Sequence, residues 1–229
     1  TRRLTGAEAL VRRIKPDGTI VSPIDFIPVY EKSGLISRLD RYIWEQAAAK
    51  LGEWKKVGIN MSISVNISPK DFYYIDIFNT FAGLVKKYDI EPSNLKIEIT
   101  ETTIMSDVPN LMGELEELRK AGFTIEMDDF GSGYSSLNTL KDINVDVLKV
   151  DMGFIKETKN VKKSRIILAS VIKMAKELNL LIITEGVETE EQVDNLTKLG
   201  CDVFQGYYFS KAIDVNEFEK RYLYRKKAG

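Results

Sequence analysis

The chain has 229 residues, with 33 Lys and Arg against 34 Asp and Glu and a formal net charge of −1. This balance offers no basic face, which excludes long nucleic acid as the expected partner. Hydrophobic residues make up 44% of the chain and charged residues 29%, a composition typical of a folded domain with a full core. We find no signal peptide and no apolar run of the roughly 20 residues that a membrane span needs. We therefore expect a cytoplasmic domain without membrane contact of its own; a tether elsewhere in a longer parent protein is compatible with this composition.

Two residue types limit the chemistry. The chain has no histidine, which excludes His-based triads, His general bases and the usual His-containing zinc sites. Cys201 is the only cysteine, so a disulfide framework and a Cys-rich zinc site are also excluded, and a reducing cytosol is favoured. What remains is hard-ligand chemistry, in which carboxylate and amide oxygens bind Mg²⁺ or Mn²⁺.

Apolar runs typical of β-strands alternate with patterns of helical period along the chain. In chain order the predicted elements are a helix with the stripe Ile36, Leu39, Ile43, Ala47 and Leu51; the strands Ile63–Asn66 and Leu95–Glu98; a helix with Leu111, Leu115 and Leu118; the strands Phe123–Asp129 and Val147–Asp151; a helix with Ile167, Val171, Met174 and Leu178; the strand Leu181–Glu185; a helix between Thr189 and Gly200; and the strand Val203–Gln205. Thr189 and Gln192 have the spacing of a capping box, and Gly200 is placed to end that helix. The alternation predicts one α/β domain over residues 1–229, with a parallel sheet covered by helices.

Polar side chains close strand after strand of this pattern. They are Asn66, Glu98, Asp128, Asp129, Lys149, Glu185 and Gln205. In a parallel βα barrel the active site lies at the carboxyl ends of the strands, where successive loops converge. Charge at that end is unfavourable in a core and useful in a site, so the sequence predicts an oxygen-rich, metal-binding pocket.

The adjacent acids Asp128 and Asp129 suggest how two metal ions could be bound. Hydrolysis of a phosphodiester by two divalent ions about 3.5–4 Å apart needs a carboxylate that bridges them. Neighbouring side chains of a strand point to opposite faces unless the chain turns. Gly131 and Gly133 are predicted to provide that turn.

Several segments resemble, in the same order, the motifs of the EAL domain family of cyclic di-GMP phosphodiesterases. Glu8-Ala9-Leu10 is similar to the signature that names the family, although alone the tripeptide is common in helices. The matching segments are Gly6–Arg12, Pro23–Gly34, Ser64–Ser68, Glu98–Glu101, Asp128–Leu137, Leu148–Asp151, Glu185–Thr189 and Gln205–Ser210. They cover nearly the whole chain, and the resemblance implies a TIM-like (β/α)8 barrel.

The resemblance also implies an activity and a set of roles. The activity is hydrolysis of cyclic di-GMP to linear pGpG with two divalent ions, Mg²⁺ or Mn²⁺. The implied metal ligands are Glu8, Asn66, Glu98, Asp128, Asp129 and Glu185; the implied catalytic residues are Glu185, Lys149 and Glu8; the implied substrate contacts are Leu10, Arg12, Asp151 and Gln205; and Glu101 and Glu188 are implied to stabilise loops.

Other interpretations stay open at this point. A degenerate EAL domain binds cyclic di-GMP without cleaving it and signals to a partner, although here every matched acidic position is present. Lys149 could instead form a Schiff base as in barrel aldolases, or pair with Asp146 or Asp151. Read singly, Glu8 could be a surface helix residue and Asn66 a turn residue.

Three expectations concern the architecture beyond the site. Counting a strand at Glu8, we predict seven strands, one short of a closed barrel, and hence an N-terminally truncated domain whose Glu8 strand is an exposed edge or is covered by another molecule. We expect a homodimer formed through Tyr134–Leu140. Sensor or GGDEF-type domains are expected in a longer parent protein.

Overall fold

The computed structural model describes residues 3–106, 108, 110–131, 140–141, 143–153 and 161–224. The described residues form two compact units. The first unit contains residues 5–126 and the described part of 137–144. The second contains residues 3–4, 127–131 and the described residues from 145 onward.

The first unit contains most of the helices. Its elements are β1 (Gly6–Glu8), β2 (Arg13–Ile14), β3 (Ile20–Val21), α1 (Pro23–Ser33), α2 (Ile36–Lys56), β4 (Ser62–Asn66), α3 (Asp71–Tyr74), α4 (Ile77–Tyr88), a 3₁₀ turn (Pro92–Asn94), β5 (Leu95–Thr100), α5 (Glu101–Met105) and α6 (Leu111–Lys120). Strand β6 (Ile125–Asp128) begins in this unit and continues into the second.

The second unit continues the alternation of strand and helix. Its elements are β7 (Val147–Asp151), α7 (Val161–Glu177), β8 (Leu181–Glu185), α8 (Glu190–Leu199), β9 (Val203–Phe204), α9 (Val215–Phe218) and a π-helical turn (Glu219–Leu223). The seven predicted strands are therefore found, and β7 and β8 have the predicted bounds. Strand β5 runs two residues beyond its predicted end at Glu98, whereas β6 is shorter at both ends than predicted.

Parallel pairing in the first unit brings strand ends to one edge. Strand β1 pairs with β4 so that Glu8 is opposite Ser64, and β4 pairs with β5 so that Asn66 is opposite Glu98. Within the described residues β1 pairs with β4 alone, as expected of an edge strand. The short strands β2 and β3 form a separate antiparallel pair.

The second unit has the same arrangement. Strand β7 is parallel to β8, with Asp151 opposite Glu185, and β8 is parallel to β9. Just beyond the end of β6, the Phe130 amide donates to the Lys149 carbonyl oxygen at 3.3 Å. The carboxyl ends of these strands therefore also lie at one edge.

Helix α2 anchors the core of the first unit. The predicted stripe residues Ile36, Ala47 and Leu51 are buried. Trp44, fully buried on the same helix, packs against Phe81 of α4 with ring centroids 4.9 Å apart. The indole nitrogen also donates to the Asn66 carbonyl oxygen at the end of β4. Packing of Trp44 in the core therefore helps to position Asn66.

Helix α7 buries none of its predicted stripe completely, and Val171 and Met174 are half-buried. Ile167 is 48% exposed and Leu178, just beyond the helix, is 53% exposed, whereas Leu168, Ile172 and Ala175 are buried. The helix was predicted correctly, but its buried face was wrong.

The helix ends of α8 follow the prediction. Thr189 and Gln192 form a reciprocal capping box, and Gly200 closes the helix in the left-handed conformation with a φ of +99°. Helix α6 begins at Leu111 after Asn110, and it buries the predicted stripe of Leu111, Leu115 and Leu118. In the part of the chain that the structure describes, every helix is too short or too polar to cross a membrane.

Candidate functional site

Three strand-end residues of the first unit lie together, and we call Glu8, Asn66 and Glu98 the Asn66 group. The Asn66 Nδ2 atom is 3.4 Å from Glu8 Oε1, and Asn66 is the register partner of Glu98. Glu98 is 1% exposed and Glu8 is half-buried. Two carboxylates and an amide thus meet at the ends of three neighbouring strands.

The backbone around Asn66 is held from two sides. The Trp44 indole nitrogen donates to the Asn66 carbonyl oxygen at 2.9 Å. The amide of Ile67 donates to the Glu98 carbonyl oxygen at 3.0 Å. Both contacts use main-chain atoms, so they fix the backbone from which the side chains of Asn66 and Glu98 extend.

A second set of polar side chains, which the sequence analysis missed, lies on β4, β5 and β6, two residues before Asn66, Glu98 and Asp128. Glu126 of β6 has no exposed surface, and its carboxylate accepts from Ser64 Oγ at 2.7 Å and from Lys96 Nζ at 2.8 Å. The signal was present in the sequence, because each of these residues lies two positions before a strand-end polar residue. These residues lie inside the strands, whereas the predicted site contained only residues at the strand ends.

Glu101 lies at the start of α5. It is 1% exposed and occupies the first turn, where the positive end of the helix dipole favours a carboxylate. Thr100 caps the helix by accepting from the Thr103 amide at 3.2 Å. This location agrees with the expected loop-stabilising role, which stays a prediction.

In the second unit a lysine joins two strand-end acids, and we call Asp128, Lys149 and Glu185 the Lys149 group. The Lys149 Nζ atom is 2.8 Å from Glu185 Oε1 and 3.5 Å from Asp128 Oδ1. Lys149 is 1% exposed, so these carboxylates, and not water, stabilise its positive charge. Both contacts use the ammonium charge, whereas Schiff-base formation begins from the neutral amine.

The chain turns at Asp129, earlier than predicted. Asp129 has a φ of +56°, a left-handed conformation that Asp tolerates better than most residues, and its amide donates to Asp128 Oδ1 at 2.9 Å. Gly131 follows with a φ of +97°. The turn predicted at Gly131 is thus present but begins at Asp129 itself, and Gly133 lies outside the described residues. The side chain of Asp129 is therefore not bound to the alternation of faces along β6.

Asp151 and Gly186 approach each other closely at the ends of β7 and β8. Asp151 Oδ1 accepts from the Gly153 amide at 2.6 Å. A Cβ atom added to Gly186, whose φ is +68°, would lie 3.2 Å from the same oxygen. Asp151 is exposed, and its expected substrate contact stays a prediction.

Gln205 follows β9 and is held by the neighbouring strand end. Its amide donates to Thr184 O at 2.9 Å and its carbonyl oxygen accepts from the Val187 amide at 3.1 Å. A Cβ atom on Gly206 would lie 2.2 Å from Val187 O, so this crossing requires glycine. The Glu188 amide donates to Gln192 Oε1 at 2.7 Å, which ties this loop to the start of α8.

The expected substrate residues Leu10 and Arg12 lie on the exposed segment after β1. Leu10 is 46% exposed. The Arg12 guanidinium donates to the neighbouring Val11 carbonyl oxygen at 2.8 Å. The structure places both residues just beyond Glu8 and leaves their contact with substrate a prediction.

The fit of a divalent ion depends here on donor chemistry. Among the described residues no group of three acidic or cysteine side chains is arranged as a complete metal site. The donors themselves suit Mg²⁺ or Mn²⁺, because carboxylate and amide oxygens are the ligands these ions prefer. The Asn66 group offers both kinds of donor at neighbouring strand ends.

The comparisons identify the family. The sequence model of the EAL domain matches residues 1–212, and the chain belongs to the EAL domain family. It is 36% identical over 219 residues to signaling protein YkoW of Bacillus subtilis, covering 96% of this chain and 27% of that protein. It is 32% identical over 221 residues to cyclic di-GMP phosphodiesterase PdeR of Escherichia coli, covering 95% of this chain and 33% of that protein. The chain thus spans a third or less of the length of these two curated relatives.

A solved structure has the same fold. The structure of the MucR phosphodiesterase of Pseudomonas aeruginosa in complex with c-di-GMP matches with a TM-score of 0.85 and 34% identity, covering 92% of this chain and 86% of that chain. This match confirms the predicted TIM-like α/β fold of EAL type.

Proposed function

We propose that this chain hydrolyses cyclic di-GMP to linear pGpG. The observation that carries the proposal is the Lys149 group, in which a buried cation holds the carboxylates of Asp128 and Glu185 at 3.5 and 2.8 Å. Membership of the EAL family and the name of PdeR support the substrate. Hydrolysis of a phosphodiester needs positive charge near the phosphoryl oxygens and an acceptor for the proton of the attacking water.

We assign divalent-ion binding to six oxygen donors. They are Glu8, Asn66, Glu98, Asp128, Asp129 and Glu185. When bound, two such ions would supply positive charge for the phosphoryl oxygens and increase the acidity of a water molecule. Mg²⁺ and Mn²⁺ are the ions that this donor set favours.

The remaining roles belong to side chains of the chain itself. Glu185 is assigned as the acceptor of the proton from the attacking water, with Glu8 supporting the reaction from the end of β1. Lys149, a compact point charge, orients Glu185 and can contact a phosphoryl oxygen. Leu10, Arg12, Asp151 and Gln205 are assigned to hold the substrate, and Glu101 and Glu188 to hold the loops behind them.

The test is an assay of cyclic di-GMP hydrolysis with Mg²⁺, Mn²⁺, Ca²⁺ and chelator in parallel, with pGpG as the measured product. We expect turnover with Mg²⁺ and Mn²⁺ and little with Ca²⁺, which prefers longer bonds and more ligands. Glu98→Ala should abolish turnover while the far-UV circular dichroism spectrum is unchanged. Equal rates in chelator contradict the metal mechanism.

Binding without turnover favours the second function, a cyclic di-GMP receptor. Equilibrium dialysis of the same samples separates these outcomes. A protein that binds cyclic di-GMP and yields no pGpG under any metal is a receptor, and a protein that does neither contradicts both proposals.

We also propose the setting in which the domain acts. It is expected to work in the cytoplasm, as a homodimer, beside sensor or GGDEF-type domains of a longer protein. The name of the relative MucR, a bifunctional diguanylate cyclase and phosphodiesterase, supports the last point. The dimer segment Tyr134–Leu140 lies outside the described residues except for Leu140. Sedimentation over a range of concentrations tests the dimer, and a monomer with full activity contradicts it.

A further inference from the structure

Ser64, Lys96 and Glu126 form a closed polar network to which the proposed function gives no role. The Glu126 carboxylate uses both of its oxygens, since Ser64 Oγ donates to Oε2 at 2.7 Å and Lys96 Nζ to Oε1 at 2.8 Å. Glu126 has no exposed surface, Ser64 is 8% exposed, and the Lys96 side chain is 21% exposed. The network therefore depends on its internal contacts and receives little from solvent.

Each member of the network lies two positions before an assigned metal ligand on the same strand. Side chains two apart on a strand share a face, so the network lies directly next to the ligands on that face. The three pairs are Ser64 and Asn66 on β4, Lys96 and Glu98 on β5, and Glu126 and Asp128 on β6.

Burial makes the geometry of the network strict. A buried carboxylate without partners is strongly unfavourable, so Glu126 must stay within reach of both Ser64 and Lys96. These partners lie on two other strands, and a slip of one residue would turn either side chain to the opposite face. The network thus holds three strands in one register.

We propose that Glu126, with Ser64 and Lys96, is a positioning residue for the divalent-ion site. By holding β4, β5 and β6 in register, the network directs the oxygens of Asn66 and Glu98 toward a common ion. This inference rests on the proposed function for the identity of the ligands. It adds that the residues behind the ligands set the affinity for the ion.

The test measures Mn²⁺ affinity by isothermal titration calorimetry, without substrate. Glu126→Gln retains the volume of the side chain and removes its charge. We expect it to weaken Mn²⁺ binding by about 10–100-fold, as removal of residues behind metal ligands does elsewhere. Ser64→Ala should weaken binding less, because it removes one neutral donor. Lys55→Met, which removes a surface ion pair with Asp89 at 3.1 Å, is the matched control and should bind as the wild type does.

A triple variant separates positioning from stability. Buried ion pairs can be replaced by apolar side chains without loss of folding, so Ser64→Ala, Lys96→Met and Glu126→Leu together should preserve the thermal transition. We expect this folded variant to bind Mn²⁺ at least 10-fold more weakly, because an apolar layer does not specify the register so strictly. Wild-type affinity in both Glu126→Gln and the triple variant overturns the inference, as does absence of Mn²⁺ binding by the wild type.

The two proposals fail in different ways. If the wild type hydrolyses cyclic di-GMP and the variants retain its Mn²⁺ affinity, positioning is wrong and the proposed function stands. If the wild type yields no pGpG but the variants lose Mn²⁺ affinity, the proposed function is wrong and positioning stands.

Discussion

Lys149 shows how one buried cation can hold a site together. Its side chain is 1% exposed and lies 2.8 Å from Glu185 and 3.5 Å from Asp128, whose side chains are 19% and 16% exposed. A lysine in this position must be paired, because a buried charge without a partner is unfavourable. The lysine in turn offsets the repulsion between these two like charges.

We predict that Lys149→Met lowers the free energy of unfolding of the metal-free protein by about 3 kcal/mol, the lower end of the range for breaking a buried pair. The two carboxylates are left without their cation. Urea denaturation measures the loss. Lys173→Met is the matched control: its partner Glu177 is 3.9 Å away on the exposed face of α7, so a change within about 0.5 kcal/mol is expected.

A second substitution tests the cause. Lys149→Met with Glu185→Gln should recover part of the lost stability, because one of the two unpaired charges is removed. No recovery would show that lost packing, and not charge, explains the effect of the single substitution.

At the scale of elements, two acids meet where α2 packs against α3. Burial, followed by the charge of Asp71, raises the pKa of Asp40 to about 9. Burial also raises the pKa of Asp71, partly offset by the hydrogen bond from the Ser68 amide. Asp71 Oδ2 accepts from Ser68 at 2.8 Å, just after the Asn66 strand end. We infer that Asp40 retains its proton at neutral pH.

This pair predicts a specific pH dependence. The folded protein retains a proton on Asp40 that the unfolded chain releases above its usual value of 3.8. Stability should therefore fall as pH rises between about 4 and 9 and then level off, by at most about 1.4 kcal/mol per pH unit for one proton. Asn at position 40 has no carboxyl proton to release, so the urea midpoints of Asp40→Asn at pH 6, 7.5 and 9 should fall less than those of the wild type.

Asp76→Asn is the control for this experiment. Hydrogen bonds from Asn79 lower the pKa of Asp76, so its charge contributes stability that is lost only in acid. Asn also caps helices well. Between pH 6 and 9 the urea midpoint of Asp76→Asn should change with pH as the wild-type midpoint does. If the midpoint of Asp40→Asn also changes as the wild-type midpoint does, Asp40 does not retain its proton.

Among the described glycines, Gly206 has the least room for a Cβ atom. A Cβ atom there would lie 2.2 Å from Val187 O and 2.3 Å from Val187 N. We predict that Gly206→Ala displaces the Gln205 segment, lowering the melting temperature and the affinity for cyclic di-GMP together. Gly83→Ala, inside α4 with no atom within 4 Å of its Cβ, is the control and should stabilise by about 0.5–1 kcal/mol. A Gly206→Ala protein with wild-type melting and affinity contradicts the prediction.

At the scale of the whole molecule, the boundary between the two units falls inside strand β6. Ile125 and Glu126 belong to the first unit and Met127 and Asp128 to the second. A state in which one unit alone is folded must interrupt this strand between Glu126 and Met127. The strand thus opposes independent unfolding.

We predict a single cooperative thermal transition. In differential scanning calorimetry the calorimetric and van't Hoff enthalpies should agree, and far-UV and near-UV circular dichroism should report the same midpoint. Two resolved transitions, or midpoints that differ between the probes, would show that the units unfold separately.

Local sequence patterns determined much of this protein. The bounds of β7 and β8, the capping box of Thr189 and Gln192 and the helix end at Gly200 were predicted correctly. These features depend on neighbours in the chain, through the period of two in strands and the hydrogen bonds of helix ends. Absence of histidine restricted the chemistry in the same direct way.

Only the tertiary structure decided which residues meet across strands. The pairing of Lys149 with Glu185, the network around Glu126 and the buried face of α7 depend on register and packing between segments far apart in sequence. A pattern along the chain shows that Leu168 and Ile167 are both apolar, but only the neighbouring strand selects the one that is buried. The physical reason is that periodicity specifies a face, whereas contact with other elements specifies which face is used.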